Sequence, residues 1–474
     1  SFKEAKQLME GQAQDCLNVI EGQLLQGDPD CLFRGVSINS RTVSRGELFV
    51  CIKGERFDGH DFLAGVIDRE AQGIILSDPK KLPDKTGRAI GKQFVIQVPD
   101  TLKALQDLAG FQRKRFPLKV VAVTGTNGKS TTKEMIAAIL ATKFKTLKTQ
   151  GNLNNHIGLP LTLLQREPSH EVGVLEMGMS AMGEIKRLAE IAQPDIGVIT
   201  NISEGHLVQL KNLKDIQSAK GELFDSLTEK GTAIVNADDP LVLELARSLR
   251  ARTVTFGIDQ PADVWASEIE SKDNLGFRFK VKLFDKTLSI RLPYLGYYNI
   301  YNTLAALATG YSLGIQEETM TRGLENYQHM SQRNEQLRHK GIDLINDAYN
   351  ANPRSMTEAL KTLDNFKTRG RRIFVIGDML ELGDRSIPAH KNLGEEIAQS
   401  KANILVTVGK LAGLSAKSAQ TLAGEKIQIL EFTDHQEAAE FLIQEARSGD
   451  CVMFKGSRGT AMEKILQIFI ANNN

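Results

Sequence analysis

The residues best suited to chemistry form one short run, Thr124-Gly125-Thr126-Asn127-Gly128-Lys129-Ser130-Thr131. It follows the apolar stretch Val120-Val121-Ala122-Val123 and precedes a helical pattern over 133–140. Strand, glycine loop and helix in that order make a cradle for phosphate. Glycines let backbone N–H groups close around phosphate oxygens, and the N-terminus of the following helix adds a favourable dipole. Lys129 is placed to reach the β- and γ-phosphates of a nucleotide, and Ser130 to hold Mg2+. Gly125, Thr126, Asn127, Gly128 and Thr131 complete the cradle. The full P-loop pattern wants glycine where this chain has Val123, so the loop is a variant. Alone the loop would be a weak sign, and a plain strand-to-helix turn is the alternative. The flanking strand and helix give it weight.

Three more groups point the same way. The run Val172-Gly173-Val174-Leu175 ends in Glu176. An acid at the end of a parallel strand beside a P-loop is the usual second Mg2+ partner; a strand-end glutamate that caps a helix is the competing reading. Asn201 to His206 follows another apolar run and reaches the same sheet edge, where ligands bind. His206 is an unusual partner for Mg2+, which prefers oxygen, and a loop histidine with ordinary hydrogen bonds competes. Residues 214–227 read as a helix with an apolar stripe of Ile216, Ala219, Leu223, Phe224 and Leu227. Lys220 lies on that stripe, four residues from both Ile216 and Phe224. An inward lysine must be paired or functional; snorkelling to the surface is the equal alternative.

The elements that position these groups alternate strand and helix, which implies parallel sheets. Strands are expected at 35–41, 48–53, 73–77 and 93–98. A helix capped by Asp100 follows, and Phe116-Pro117 ends it. A second series runs through 118–123, 172–175, 195–200, 232–236 and 252–256. Residues 277–284 alternate strictly between apolar and polar, the mark of a half-exposed antiparallel strand, with 288–292 as its partner. Residues 298–312 read as a helix with Gly314 just beyond its end. A third series lies at 343–346, 372–376, 404–408, 427–432 and 451–454.

At roughly 150 residues per domain, 474 residues suggest about three domains. The expectation is a small α/β domain over 1–112, a central P-loop domain over 113–328, and a Rossmann-like α/β domain over 329–474. The central domain combines a parallel sheet with a small antiparallel one. Lys and Arg number 59 against 58 Asp and Glu, a net charge of +1. That argues against a non-specific nucleic-acid binder, which needs a basic excess. No apolar run reaches the roughly 18 residues of a membrane helix, and the polar start of the chain is no signal peptide. Cys16, Cys31, Cys51 and Cys451 are scattered, with no CxxC pair. They read as reduced thiols of a cytosolic chain and exclude a cysteine zinc site.

Taken together, these motifs resemble the Mur ligase superfamily, along nearly the whole chain. Further stretches carry the likeness: Ser40-Arg41, Gly59-His60-Asp61-Phe62, Gly151-Asn152-Leu153-Asn154-Asn155, Ala219-Lys220-Gly221-Glu222, Tyr298-Asn299-Ile300-Tyr301-Asn302, Asp347-Ala348-Tyr349-Asn350-Ala351-Asn352-Pro353, Gly377-Asp378-Met379 and Lys455-Gly456-Ser457-Arg458. The resemblance implies an ATP- and Mg2+-dependent cytoplasmic amide ligase, most like the branch that joins D-alanyl-D-alanine to UDP-N-acetylmuramoyl-tripeptide. A monomer is expected. The first domain would take the uridine nucleotide, the second ATP and the third the dipeptide. By position, Lys129 contacts phosphates, and Ser130, Glu176 and His206 are metal-site residues. Lys220 matches a lysine often carbamylated in this superfamily, which would make it an anion facing Mg2+. Asn299 and Asn302 match ATP-side asparagines, Arg333 an arginine that meets the phosphates, and Asp347 an acid that approaches from the third domain. Ser40, Arg41, Asn154, Asn155, Asn350, Asn352 and Lys455 are the implied substrate contacts.

The chain departs from the family pattern at three places. Asn39 stands where an Asp-Ser-Arg motif often has Asp. Tyr298 replaces the common His before Asn299. Arg333 sits in Gln332-Arg333-Asn334-Glu335 and not after a glycine. Rival readings are the ligase that adds the third amino acid, folylpolyglutamate synthase, and a P-loop switch that controls a partner. The stretch Tyr349-Asn350-Ala351-Asn352-Pro353-Arg354, in place of Asp-Asn-Pro-Arg, favours the dipeptide ligase over the first. A complete small domain over 1–105 disfavours the second, and a further α/β domain disfavours the third.

Overall fold

Short apolar runs between helices can bury both faces of a sheet only if the sheet is parallel and covered on each side. Three such sheets form. The computed structural model describes residues 9–83, 93–205 and 210–472. The first sheet has five strands in the order Gln23–Gln26, Phe94–Gln97, Gly73–Leu76, Leu48–Val50, Val36–Ser37. All its pairs are parallel except the first. Helix Thr101–Lys114 then leads toward the second sheet, and Asp100 caps it by accepting the N–H groups of Leu102 and Lys103. Near its end, Gln112 Nε2 donates to the Arg166 carbonyl at 2.9 Å, fastening the helix to the next domain.

The central sheet has nine strands. From one edge they run Thr146–Lys148, Val172–Glu176, Lys119–Thr124, Ile196–Ile199, Thr232–Asn236, Arg252–Gly257, Val264–Ser271, Phe277–Leu283 and Lys286–Leu292. The antiparallel part continues the parallel sheet and does not stand beside it. The join is Val264–Ser271, parallel to Arg252–Gly257 and antiparallel to Phe277–Leu283. The third sheet runs Glu335–His339, Ile342–Asp347, Cys451–Lys455, Arg372–Gly377, Ile404–Val408, Gln428–Phe432, antiparallel only at its first pair.

Strand Lys119–Thr124 lies inside the central sheet, where the order of connection reverses; that is where open α/β sheets bind ligands. Its glycine loop opens helix Lys129–Leu140. Helix Tyr298–Ser312 packs along that helix, and so does Glu317–Glu325. A Cβ at Gly323 would lie 2.6 Å from Ile139 Cα, so this close approach requires glycine. Among the described residues, no helix is long and apolar enough to cross a membrane, and all four cysteines are free thiols.

Candidate active site

The glycine loop is held in shape by the neighbouring strand end. Thr126 N–H donates to Asn201 O at 2.9 Å and Asn127 N–H to Asn201 Oδ1 at 3.1 Å. Thr200 Oγ1 and Asn201 Nδ2 both donate to Asn127 O, at 2.6 and 2.9 Å. Gly125, at φ +147°, faces Thr200 so closely that any Cβ would collide with it. The cradle is thus formed before any anion arrives.

Two lysines converge beneath it. Lys129 Nζ donates to Gly125 O at 2.8 Å and Thr126 O at 3.1 Å. Lys220, only 2% exposed, donates to the same Gly125 O at 3.0 Å. The helix Leu213–Asp225 therefore aims Lys220 inward, which excludes snorkelling. Desolvation, with Lys129 close by, holds the Lys220 pKa well below the ordinary lysine range. Lys129 is lowered as well, by desolvation and then by Arg333, with Glu176 opposing.

Glu176, 1% exposed, is aimed into the same space. Asn154 Nδ2 donates to its Oε1 at 2.7 Å, while Oε2 has no hydrogen-bond partner among the described residues. Oε2 stands 3.9 Å from Lys133 Nζ, an ion-pair distance outside hydrogen-bond reach. With the buried Ser130 hydroxyl it forms an all-oxygen donor pair, the set a hard divalent cation takes. No group of three or more His, Cys, Asp or Glu side chains suited to a metal occurs among the described residues. Mg2+ ordinarily takes one or two protein oxygens together with phosphates and water.

The third domain closes the space. Arg333 Nη2 donates to Ser130 Oγ at 3.0 Å, and its guanidinium lies 4.0 Å from the centre of the Tyr349 ring. Lys455, buried, donates to Asp347 Oδ2 at 2.6 Å and to Asn350 O at 3.1 Å. Asn352 caps helix Pro353–Asn365 and makes a reciprocal amide pair with Asn127 of the glycine loop. The result is one cleft of about 750 Å3 between the domains.

Most of the residues picked out in the sequence line this cleft: Thr126 to Thr131, Asn154, Asn155, Glu176, Lys220, Asn302, Arg333, Asp347, Asn350, Asn352 and Lys455. Gly125 lies below it. Asn299 does not line it. Its Nδ2 donates to Leu295 O just before the helix and its Oδ1 accepts from Asn302, so the amide is spent at the helix start. Ser40 and Arg41 sit after strand Val36–Ser37 of the first sheet, away from the cleft. His206 lies outside the described residues. Two important residues were missed in sequence. Lys133 is fully buried one turn beyond Lys129; its place on an apolar helix face was the available signal, the same one that marked Lys220. Asn334 carried no signal in its type or spacing.

A P-loop cradle facing the acid- and arginine-bearing third domain defines a nucleotide-dependent ligase site. Comparison with known proteins agrees. The Mur ligase middle domain matches residues 123–310, the Mur ligase glutamate ligase domain 332–458, and the Mur ligase family catalytic domain 32–113. The chain belongs to the Mur ligase family. It is 37% identical to the UDP-N-acetylmuramoyl-tripeptide–D-alanyl-D-alanine ligase of Bacillus subtilis, over 93% of each chain. Its Escherichia coli counterpart is 33% identical over 96% of this chain and 97% of its own. The structure superposes on MurF from Acinetobacter baumannii with a TM-score of 0.89 at 32% identity, covering 98% of this chain and all of that one. MurF from Thermotoga maritima in complex with ADP gives 0.79 at 29% identity, covering 92% and 97%.

Proposed function

We propose that this chain joins D-alanyl-D-alanine to UDP-N-acetylmuramoyl-tripeptide with ATP, in the cytoplasmic synthesis of peptidoglycan precursors. The observation that carries this reading is the single cleft in which the glycine loop and the Asp347–Lys455 pair face one another across two domains. The peptide carboxylate attacks the γ-phosphoryl group, giving an acyl phosphate and ADP. The dipeptide amine then attacks the acyl carbon, and phosphate leaves as the amide forms. No side chain need be a covalent nucleophile; the chain supplies position and charge.

The backbone cradle and Lys129 bind the phosphates, and Arg333 offsets charge on the group in transfer. Asp347 and Lys455 fix the third-domain wall, and Asn154 fixes Glu176. Ser130 and Glu176 would hold Mg2+, which when bound neutralises phosphate charge. We assign the uridine moiety to the first domain, near Ser40 and Arg41, and take the working unit as a monomer, since one chain builds the whole cleft. Lys220 suits carbamylation. Burial favours its neutral amine, the form that takes up carbon dioxide, and an anion there would relieve its repulsion with Lys129.

The test is product release. ADP and phosphate should appear only when UDP-tripeptide and D-alanyl-D-alanine are both present, with the amide seen by mass spectrometry. Phosphate release that ignores the dipeptide would reject the reading.

A further inference from the structure

Two departures from the family pattern, Tyr298 and the setting of Arg333, meet in space. Asn334 Nδ2 donates to Tyr298 Oη at 2.7 Å. Tyr298 stands on the first turn of the helix beside the P-loop helix. Asn334 is 1% exposed, and its backbone N–H donates to Asp347 Oδ1 at 3.1 Å. One residue thus bonds the central domain through its side chain and the third domain through its backbone.

The backbone around it is strained. Gln332 has φ +60° and Asn334 φ +54°, both in the left-handed region and neither a glycine. Such residues persist only where their surroundings over-determine them. Here Tyr349 N–H donates to Gln332 O at 3.1 Å and Gln332 N–H to Glu335 Oε2 at 3.0 Å. The His329 ring, stacked on Tyr294 at 4.6 Å, meets Arg333 O through Nε2 at 2.5 Å. Arg333 projects from between the two left-handed residues onto Ser130.

We propose that the Tyr298–Asn334 hydrogen bond is a pin that locks this interdomain turn and thereby positions Arg333 over the phosphate cradle. Tyr298 and Asn334 are positioning residues. Asn334 Oδ1 already lacks a partner among the described residues. Without the Tyr298 hydroxyl, the whole buried amide is unsatisfied and the turn relaxes toward ordinary backbone angles. Burial and the Asp347 carboxylate keep the phenol protonated well above its usual range, so the pin stays neutral beside Asp347. The use of Arg333 in turnover rests on the ligase reading; the pin itself does not.

Tyr298→Phe removes the bond and leaves the backbone alone. Asn334→Gly removes it from the other side and tolerates the left-handed conformation. In each variant, the backbone amides at positions 334 and 349 should exchange about five- to tenfold faster, the worth of one net hydrogen bond. The kcat should fall by a similar factor while ADP affinity stays within about twofold, because the cradle is untouched. The double variant should be no worse than either single one. Unchanged exchange in Tyr298→Phe would overturn the pin. Faster exchange with wild-type kcat, a loss confined to ADP affinity, or additive losses would overturn the positioning of Arg333. A wild-type chain without dipeptide-dependent turnover would reject the ligase reading instead, and the exchange result would still decide the pin.

Discussion

Lys133 gives the most direct test of how the site is supported. Its ammonium is fully buried, 2.7 Å from Thr149 O, 3.0 Å from Glu134 Oε1 and 3.9 Å from Glu176 Oε2. Methionine has a similar unbranched shape, so Lys133→Met leaves little cavity. The charge-assisted bond to Thr149 is worth about 1.5–3 kcal/mol. The loss to Glu134 is smaller, about 1 kcal/mol, because Lys148 remains 2.5 Å from its other oxygen. Glu176 loses its cation on the interior side, while removal of the lysine's own desolvation offsets part of the total. The net expectation is a loss of about 2–4 kcal/mol from the central domain. The single tryptophan reports on that domain: Trp265 lies in its sheet, with Nε1–H donating to Ile258 O at 2.8 Å. Urea unfolding followed by its fluorescence should show a lower midpoint at unchanged slope. A loss under about 0.5 kcal/mol, or a gain, would refute the view that this lysine is a structural cation.

Four further outcomes are expected. Lys129→Ala should abolish ligase turnover, by about a hundredfold or more, while its melting temperature stays near wild type, since its bonds go only to its own loop. Lys220→Ala should lose turnover that high bicarbonate does not restore; retained wild-type turnover would dismiss the carbamate. Asn352→Ala should destabilise the third domain by about 1 kcal/mol through loss of the cap, measurable by chemical denaturation, and weaken ADP binding through Asn127. The Cys16 and Cys51 thiols are pushed up to about 12, by burial first and then by Asp15 and Asp58. The unfolded chain releases these protons near pH 9 and the folded one holds them, so stability should fall as pH rises from 9 toward 12.

Local pattern was enough for the cradle and its flanking elements. Helix Tyr298–Ser312 and strand Thr232–Asn236 fall where periodicity places them. Strand Val264–Ser271 did not declare itself, because Glu268 and Glu270 break its apolar content and its order comes from pairing on both sides. Lys220 was legible as a residue on an apolar stripe, though not whether it points in or out; packing against Gly125 decides that. Asn299 and Asn302 look equivalent in sequence, yet at a spacing of three the first satisfies the second and only Asn302 faces the cleft. The Asn127–Asn352 pair joins residues 225 apart, a distance over which no local pattern carries information.

That amide pair also bears on how the molecule moves. Each carboxamide gives and takes one hydrogen bond with the other, and water offers the same exchange to both once they part. Separation at this point is therefore close to neutral in free energy. At this point the two walls meet in a contact with direction but little grip, whereas Tyr298–Asn334 and Arg333–Ser130 hold them together near the turn. Small differences in how substrates and products touch the two walls then suffice to tilt the balance between admission and release.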